Sequence, residues 1–182
     1  MVNGEEIEMV KILKLTVFLA LIAGLSGAAL SAVYNVTDPI IQEAKLASEK
    51  ENLIKIYDQG EEFSEVQTGL DDYDLIQGCY EVKSQGVIKG YVYKISSNGY
   101  GGAIVYLIAL DKDGTYKGYE VIDCSTETNG FGSQVGDELF QKSIVGKNIG
   151  ESIDTISGAT ISSTAVIKGI DQAVTHYSAH FK

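Results

Sequence analysis

The hydrophobic positions fall into three regimes along the chain, and each predicts a different kind of element. Residues 15–36 read LTVFLALIAGLSGAALSAVYNV, 22 residues without a charge. As a helix rising about 1.5 Å per residue this run reaches about 33 Å, the thickness of a bilayer core. Further on, Ile40, Ile41, Ala44, Ala47, Leu53, Ile54 and Tyr57 recur at helical spacing. They predict a second helix, set off from the first by Thr37-Asp38-Pro39, which reads as a break and a new N-cap. Beyond Gly60 come the β-rich runs CYEVKS, GVIKGYVYKIS, AIVYLIAL and YKGYEVIDC, punctuated by Gly, Asn and Asp, the pattern of an antiparallel sheet. Helical periodicity returns in LFQKSIVG and TAVIKGIDQAVTHY, where Ala165, Val166, Ile170, Ala173, Val174 and Tyr177 share a face.

The expected fold class is therefore α+β: a single N-terminal transmembrane helix followed by a domain with a mostly antiparallel sheet and packed helices. The expected organisation is a short cytoplasmic N-terminus at 1–14, the transmembrane helix at 15–36, a linker helix at 37–60 and a folded domain at 61–182. A cleavable signal is the competing reading of the apolar run, since Lys11 and Lys14 precede it and Ala28, Ala29 and Ala32 offer small residues to a peptidase. Signal cores run about 7–15 residues; this run is longer and carries Gly24, Ser26 and Gly27 as a small-residue face suited to packing on another membrane helix. A retained anchor is the better account. Orientation follows the Lys count near the span, not net charge, so Lys11 and Lys14 place the folded domain outside the cytoplasm, with Lys45 and Lys50 reducing the asymmetry.

Length and charge narrow the field. A chain of 182 residues accommodates one domain and an appendage. It has 14 basic residues, all Lys, against 25 acidic ones, a net charge of −11. Without a basic face or any guanidinium fork, nucleic acid is not an expected partner. Cys79 and Cys124 lie outside any C-x-x-C pattern, which excludes a zinc ribbon, a ferredoxin-type cluster repeat and a disulfide-dense scaffold. Both fall in predicted strands and are expected as buried free thiols, with a disulfide open to them outside the cytoplasm. His176 and His180 have no partners for a zinc site and are expected on a frayed, solvated helix end. Asp111-Lys-Asp-Gly114 lacks the downstream ligands of a calcium loop and is expected as a hairpin turn.

The sharpest chemical signal is Asp154-Thr-Ile-Ser-Gly-Ala-Thr160-Ile-Ser-Ser, a hydroxyl-rich turn running into the last amphipathic helix. Two readings stand. Free amides at the positive end of a helix dipole hold a phosphate, helped by the hydroxyls of Ser157, Thr160, Ser162 and Ser163. Or Ser157 or Thr155 simply caps the helix. No G-K-[ST] follows and no G-x-G-x-x-G opens a βαβ unit, so neither a P-loop nor a dinucleotide fold is indicated. Likewise, Gly-Tyr-Gly-Gly at 99–102 is either a bend before a strand or a place where backbone approaches a planar ligand.

The segment DTISGAT matches the D-x-x-[ST]-G-A-T flavinylation pattern of FMN-binding domains. With Thr37-Asp-Pro39-Ile40 after the apolar run, GYGGAIVYLIALDKDG, TETNGFGSQV and SGATISS, nearly the whole chain resembles the FMN-binding G subunits of Rnf-type ion-translocating electron transport complexes. These are related to the C subunit of the sodium-pumping NADH:quinone oxidoreductase. The resemblance implies covalent FMN, joined by a phosphoester to Thr160, with Asp154, Ser157, Gly158 and Ala159 as the recognition sequence of a flavin transferase. It implies that Gly99, Tyr100, Gly101 and Gly102, and the segment Glu127-Thr128-Asn129-Gly130-Phe131-Gly132 with Glu127, Thr128 and Gly130 as its binding residues, approach the flavin ring. The chain departs from the family pattern at Ser125, where His is usual, at Asn129, where Pro is usual, and at Phe131, where Leu is usual.

The same resemblance implies an electron-transfer subunit, redox-active only within its complex, with no catalytic or metal-ligating residue of its own. It sits in a bacterial or archaeal cytoplasmic membrane, passes it once, and has its FMN-binding domain, 61–182, on the outer side. Its partners are the other membrane and peripheral subunits of a complex coupling electron flow between ferredoxin and NAD to ion translocation, and a flavin transferase during maturation. Two alternatives remain. One is a flavin-free, membrane-anchored assembly or docking protein using its acidic domain, with 22 acidic residues against 12 Lys from Thr37 onward. The other is a secreted acidic binding domain.

Overall fold

A computed structural model describes residues 2–58 and 60–182; within its first helix the side chains at 2–8, 10, 28, 29, 32, 35, 36 and 38–49 also lie outside the described set. Two compact units divide the chain, Met1–Glu49 and Lys50–Lys182. Helix α1 spans Val2–Ile56. The break expected at Thr37-Asp38-Pro39 does not form: Pro39 removes one backbone donor, and Ala, Leu, Lys and Glu on its C-terminal side are strong helix formers that carry the helix on. In the first unit Leu15, Phe18, Leu21, Leu25, Leu30 and Val33 are all exposed. Among the described residues no helix is long and apolar enough to cross a membrane. The span expected over 15–36 includes five of the side chains outside the described set.

In the second unit five strands form an antiparallel meander in chain order: β1 (Glu62–Val66), β2 (Ile76–Ser84), β3 (Val87–Asn98), β4 (Ala103–Asp111) and β5 (Tyr116–Asp123). The four expected strands are β2 to β5. Asp111 and Gly114 close the β4–β5 turn, Gly114 N–H donating to the Asp111 carbonyl at 2.9 Å, so the hairpin reading of that loop holds. Cys79 is fully buried in β2, whereas Cys124 lies just past the end of β5 and is only half-buried; both thiols are free. The expectation of two buried thiols is thus corrected for Cys124, because the strand ends one residue before it.

Strand alternation sorts the sheet into two faces. Tyr91, Tyr93 and Ile95 of β3 and Ile104, Tyr106, Ile108 and Leu110 of β4 point to the larger core. Helices α2 (Glu138–Ile144) and α3 (Thr160–His180) close it with Phe140, Ile144, Val166, Ile170, Ala173 and Tyr177. The opposite face carries Val82, Val92, Leu107 and Ala109 and is covered by Leu53, Ile56 and Tyr57 at the end of α1. Gly169 lets α3 approach closely, since a Cβ there would lie 2.1 Å from Tyr106 Oη. Tyr106 Oη donates to the Val166 carbonyl at 2.7 Å. That contact fixes the height of α3 over the sheet and, through it, where the helix begins.

His176 is not on a frayed end. It is fully buried, with Nδ1 3.0 Å from Tyr93 Oη and Nε2 2.7 Å from the Thr68 carbonyl. Because a carbonyl only accepts, Nε2 carries the proton and Nδ1 accepts from the tyrosine. The last turn is held down by Phe181 stacking on Tyr91, ring centroids 3.9 Å apart.

Candidate functional site

Three segments far apart in sequence meet at the start of α3. The first is the β3–β4 connection, residues 99–102, a tight hairpin in which Gly99 N–H donates to the Gly102 carbonyl at 2.8 Å. The second is the turn-rich stretch after β5. The Thr128 carbonyl accepts from the N–H groups of Phe131 and Ser133 there, and Gly130 takes a positive φ of 76° that suits the turn to glycine. The third is the loop at 154–159, which delivers the chain to Thr160, the first residue of α3.

Between them lies a cavity of about 390 Å³, walled by Tyr100, Thr128, Phe131 and Gly132 on one side and residues 158–162 on the other. Tyr100 and Phe131 expose 72% and 57% of their surfaces, so both rings are free to meet a ligand. Thr160 is exposed at the mouth. It also borders a second cavity of about 460 Å³ on the other side, which Asn98, Thr164 and Lys168 help to line.

The two readings of this helix start now separate. Ala159 holds the N-cap position, and no side chain caps the helix. Ser157 and Thr155 therefore do not play that part, and the first-turn amides have no carbonyl one turn back to bond. The phosphate reading needs correcting in turn. Ser162 and Ser163 are buried, Ser162 Oγ donating to Glu127 Oε2 at 2.7 Å and Ser163 Oγ to the Ala159 carbonyl at 2.9 Å. Of the four hydroxyls first considered, Thr160 and Ser157 remain exposed.

The sequence-derived residues are distributed unevenly. Tyr100, Thr128, Gly158, Ala159 and Thr160 line the cavity, while Gly99, Gly101, Gly102 and Glu127 stand behind its wall. Asp154 borders a separate cavity of about 240 Å³ with Leu139, Phe140 and Thr155. Ser157 and Gly130 line none of these cavities. Phe131 and Gly132, part of the segment 127–132 that resembles the family's, also line the cavity, and so does Ile161, which the sequence did not single out. Ile161 reads as one more apolar helix residue until its exposure is known.

These features fit a flavin mononucleotide. The cavity's size is that of a small-molecule site, its walls combine exposed aromatic rings with close glycine backbone, and its mouth joins a free hydroxyl to an uncapped helix N-terminus suited to a phosphate. A profile described as the FMN-binding domain matches residues 99–175, a stretch that begins at the 99–102 hairpin and ends within α3. Fold, site and match together define the class: an α+β flavin-binding domain.

The relatives are more particular. The chain is 31% identical over 182 aligned residues to the G subunit of the ion-translocating oxidoreductase complex of Methanosarcina acetivorans, covering 93% of this chain and 96% of that one. It is 27% identical to the G subunit of the proton-translocating ferredoxin:NAD(+) oxidoreductase complex of Clostridium ljungdahlii, covering 82% and 83%. Among solved structures, the C subunit of the Na(+)-translocating NADH-quinone reductase from Parabacteroides distasonis aligns at 22% identity with a TM-score of 0.47, over 56% of this chain and 60% of that one. The chain belongs to the family of ion-translocating oxidoreductase complex G subunits.

Proposed function

We propose that the protein is the electron-transferring G subunit of an Rnf-type complex, with FMN joined by a phosphoester to Thr160 Oγ1. In this reading the complex couples electron flow between ferredoxin and NAD to ion translocation, as the name of the Clostridium relative describes for that protein. The observation that carries it is the exposed Thr160 at the first position of an uncapped helix, at the mouth of the cavity walled by Tyr100, Phe131 and Gly132.

A flavin transferase would form the bond from Thr160 Oγ1 to the FMN phosphorus of FAD, with AMP leaving and the hydroxyl proton released. The phosphodiester would then lie near the amides that open α3, where the helix dipole favours negative charge. When bound, the flavin supplies the one- and two-electron chemistry, which the protein orients and tunes. Tyr100, Phe131 and Ile161 would shield the ring from water, and the backbone of Gly132 and Gly158 would let it sit close.

The N-terminal unit completes the reading. Residues 15–36 carry no charge, and their described apolar side chains are exposed, as expected of a helix whose solvent is lipid. We take this segment as the single membrane anchor, with the flavin domain on the outer side, where tethering raises its effective concentration beside partner subunits.

The test is the intact mass of the full chain and of Thr160→Ala, each co-expressed with a flavin transferase and exported to its compartment, with in-gel flavin fluorescence after denaturation. Wild type should gain the mass of FMN less one water and fluoresce, and the variant should do neither. An unmodified wild type beside a loaded control protein would overturn the proposal and favour the flavin-free docking protein.

A further inference from the structure

We propose that Glu127 is the positioning residue of the flavin cavity: its carboxylate ties the 99–102 hairpin to the first turn of α3 and presents a fixed negative charge behind the cavity wall. The tie itself does not depend on flavin; the effect of the charge on a cofactor rests on the function proposed above.

Glu127 is only 7% exposed. Oε1 accepts the Gly101 N–H at 3.0 Å, and Oε2 accepts the Ser162 hydroxyl at 2.7 Å. Both donors are neutral, and both belong to segments that wall the cavity. One carboxylate thus bridges residues 26 and 35 positions away in the chain. The surrounding glycines fit around it. A Cβ on Gly99 would lie 2.2 Å from Oε1, and one on Gly132 would lie 1.9 Å from Oε2. The absence of side chains at 99 and 132 is therefore a condition for this carboxylate to occupy its place. Gly101 is constrained from the same side, its Cβ position being 2.2 Å from the Thr126 carbonyl oxygen.

Two alternatives fit less well. A residue held to contact the ring directly would aim a free polar atom into the cavity, yet each Glu127 oxygen is already engaged within the wall. A purely structural filler would not need to be charged, since burying a carboxylate against neutral donors costs more than burying an apolar group of the same size. What a charge adds is an electrostatic field inside a poorly solvated site. Burial, and after it the carboxylates of Asp123, Glu127 and Asp137, raise the Cys124 thiol above its usual range. Negative charge close to a flavin disfavours adding electrons to it, so Glu127 would hold the reduction potential down.

The experiment compares full-length wild type, Glu127→Gln and Glu127→Ala. In unloaded protein, hydrogen exchange at the Gly101 amide should quicken at least about tenfold in the Ala variant, the loss of a buried hydrogen bond to a charged acceptor. It should stay within about threefold of wild type in Gln, which retains an acceptor at the same place. In loaded protein the Gln variant should have a reduction potential shifted to more positive values. Gly132→Ala should cut loading in the wild-type background, and do so less in Glu127→Ala, where the nearer obstructing oxygen is gone and Ser162 Oγ, 2.8 Å from the new Cβ, remains.

Unchanged Gly101 exchange in Glu127→Ala would overturn the tie, and an unchanged potential in Glu127→Gln would overturn the role of the charge. Should Glu127→Ala fail to fold, Glu127→Gln still carries the potential measurement, and the cost of Gly132→Ala in a Glu127→Gln background, where the clash persists, should match that in wild type. If no variant or wild type takes up flavin, the exchange result still decides the tie, while the function proposed above fails on its own mass measurement.

Discussion

The first turn of α3 and the rest of the helix are built on opposite principles. From Val166 onward the helix is committed to the domain: Val166, Ile170, Ala173, His176 and Tyr177 are buried, and their polar atoms have partners. The first turn leaves its amides without a side-chain cap and Thr160 exposed beside a cavity. Stability is concentrated where the helix meets the sheet, and binding capacity where it leaves it. Under the proposed function a single helix would anchor a cofactor without the cofactor site being needed to hold the fold.

Gly169→Ala should break the committed part. The new Cβ would meet Tyr106 Oη at 2.1 Å, Ile95 Cγ2 at 2.7 Å and Ser97 Oγ at 2.8 Å. The helix would have to rise from the sheet, disturbing the Tyr106 bond to the Val166 carbonyl. Overpacking of this kind costs about 1–3 kcal/mol, beyond the roughly 1 kcal/mol that Ala returns in helix propensity. Denaturant melts should show a loss of about 2 kcal/mol, partly relieved in a Tyr106→Phe background, because the obstructing hydroxyl is absent there. Thr160→Ala should leave the midpoint of the same melt unchanged.

His176 gives the committed part a pH dependence. Burial holds its pKa below the usual 6.5, with the nearby His180 adding to the depression and the bond to the Thr68 carbonyl opposing it. In the window between the folded and unfolded pKa values the unfolded chain binds a proton that the folded chain does not. Stability from this residue is therefore complete above about pH 6.5 and falls as the pH drops through that window. Urea midpoints from roughly pH 7.5 down to 5 should decline more steeply in wild type than in His176→Gln, which starts lower but has no proton to take up. Equal slopes would show that His176 does not supply the dependence.

The contrast between the two parts was half legible in the sequence. The period-2 runs gave β2 to β5, and the helical period gave the buried face of α3, because hydrophobic spacing reports burial directly. SGAT was legible as a local motif. Strand β1 was not, since EFSEV sits at the sheet edge with only Phe63 and Val66 half-buried and shows no alternation. Partners remote in sequence were equally hidden. The burial of His176 depends on a tyrosine 83 residues away and a carbonyl 108 residues away. Ser162 looked like a phosphate ligand until its bond to Glu127 was known. Residues whose role is a local conformation can be read from a sequence, and residues whose role is to join distant segments cannot.

The smallest expected effect is the sharpest comparison at the helix start. Ser157 has the residue type and roughly the position of an N-cap, and replacing a working Ser cap by Ala costs about 1 kcal/mol. Here Ala159 occupies the cap position, no side chain caps the helix and Ser157 is exposed. Ser157→Ala should therefore move the unfolding free energy by less than about 0.5 kcal/mol, the range of an ordinary surface change. The resemblance to flavinylated domains assigns Ser157 to transferase recognition, so covalent flavin yield should fall in the same variant. A loss of stability near 1 kcal/mol with full loading would reverse the assignment and make the SGAT serine a cap after all. Unchanged stability with reduced loading would show that this turn is shaped for the enzyme that modifies it and contributes little to the helix it begins.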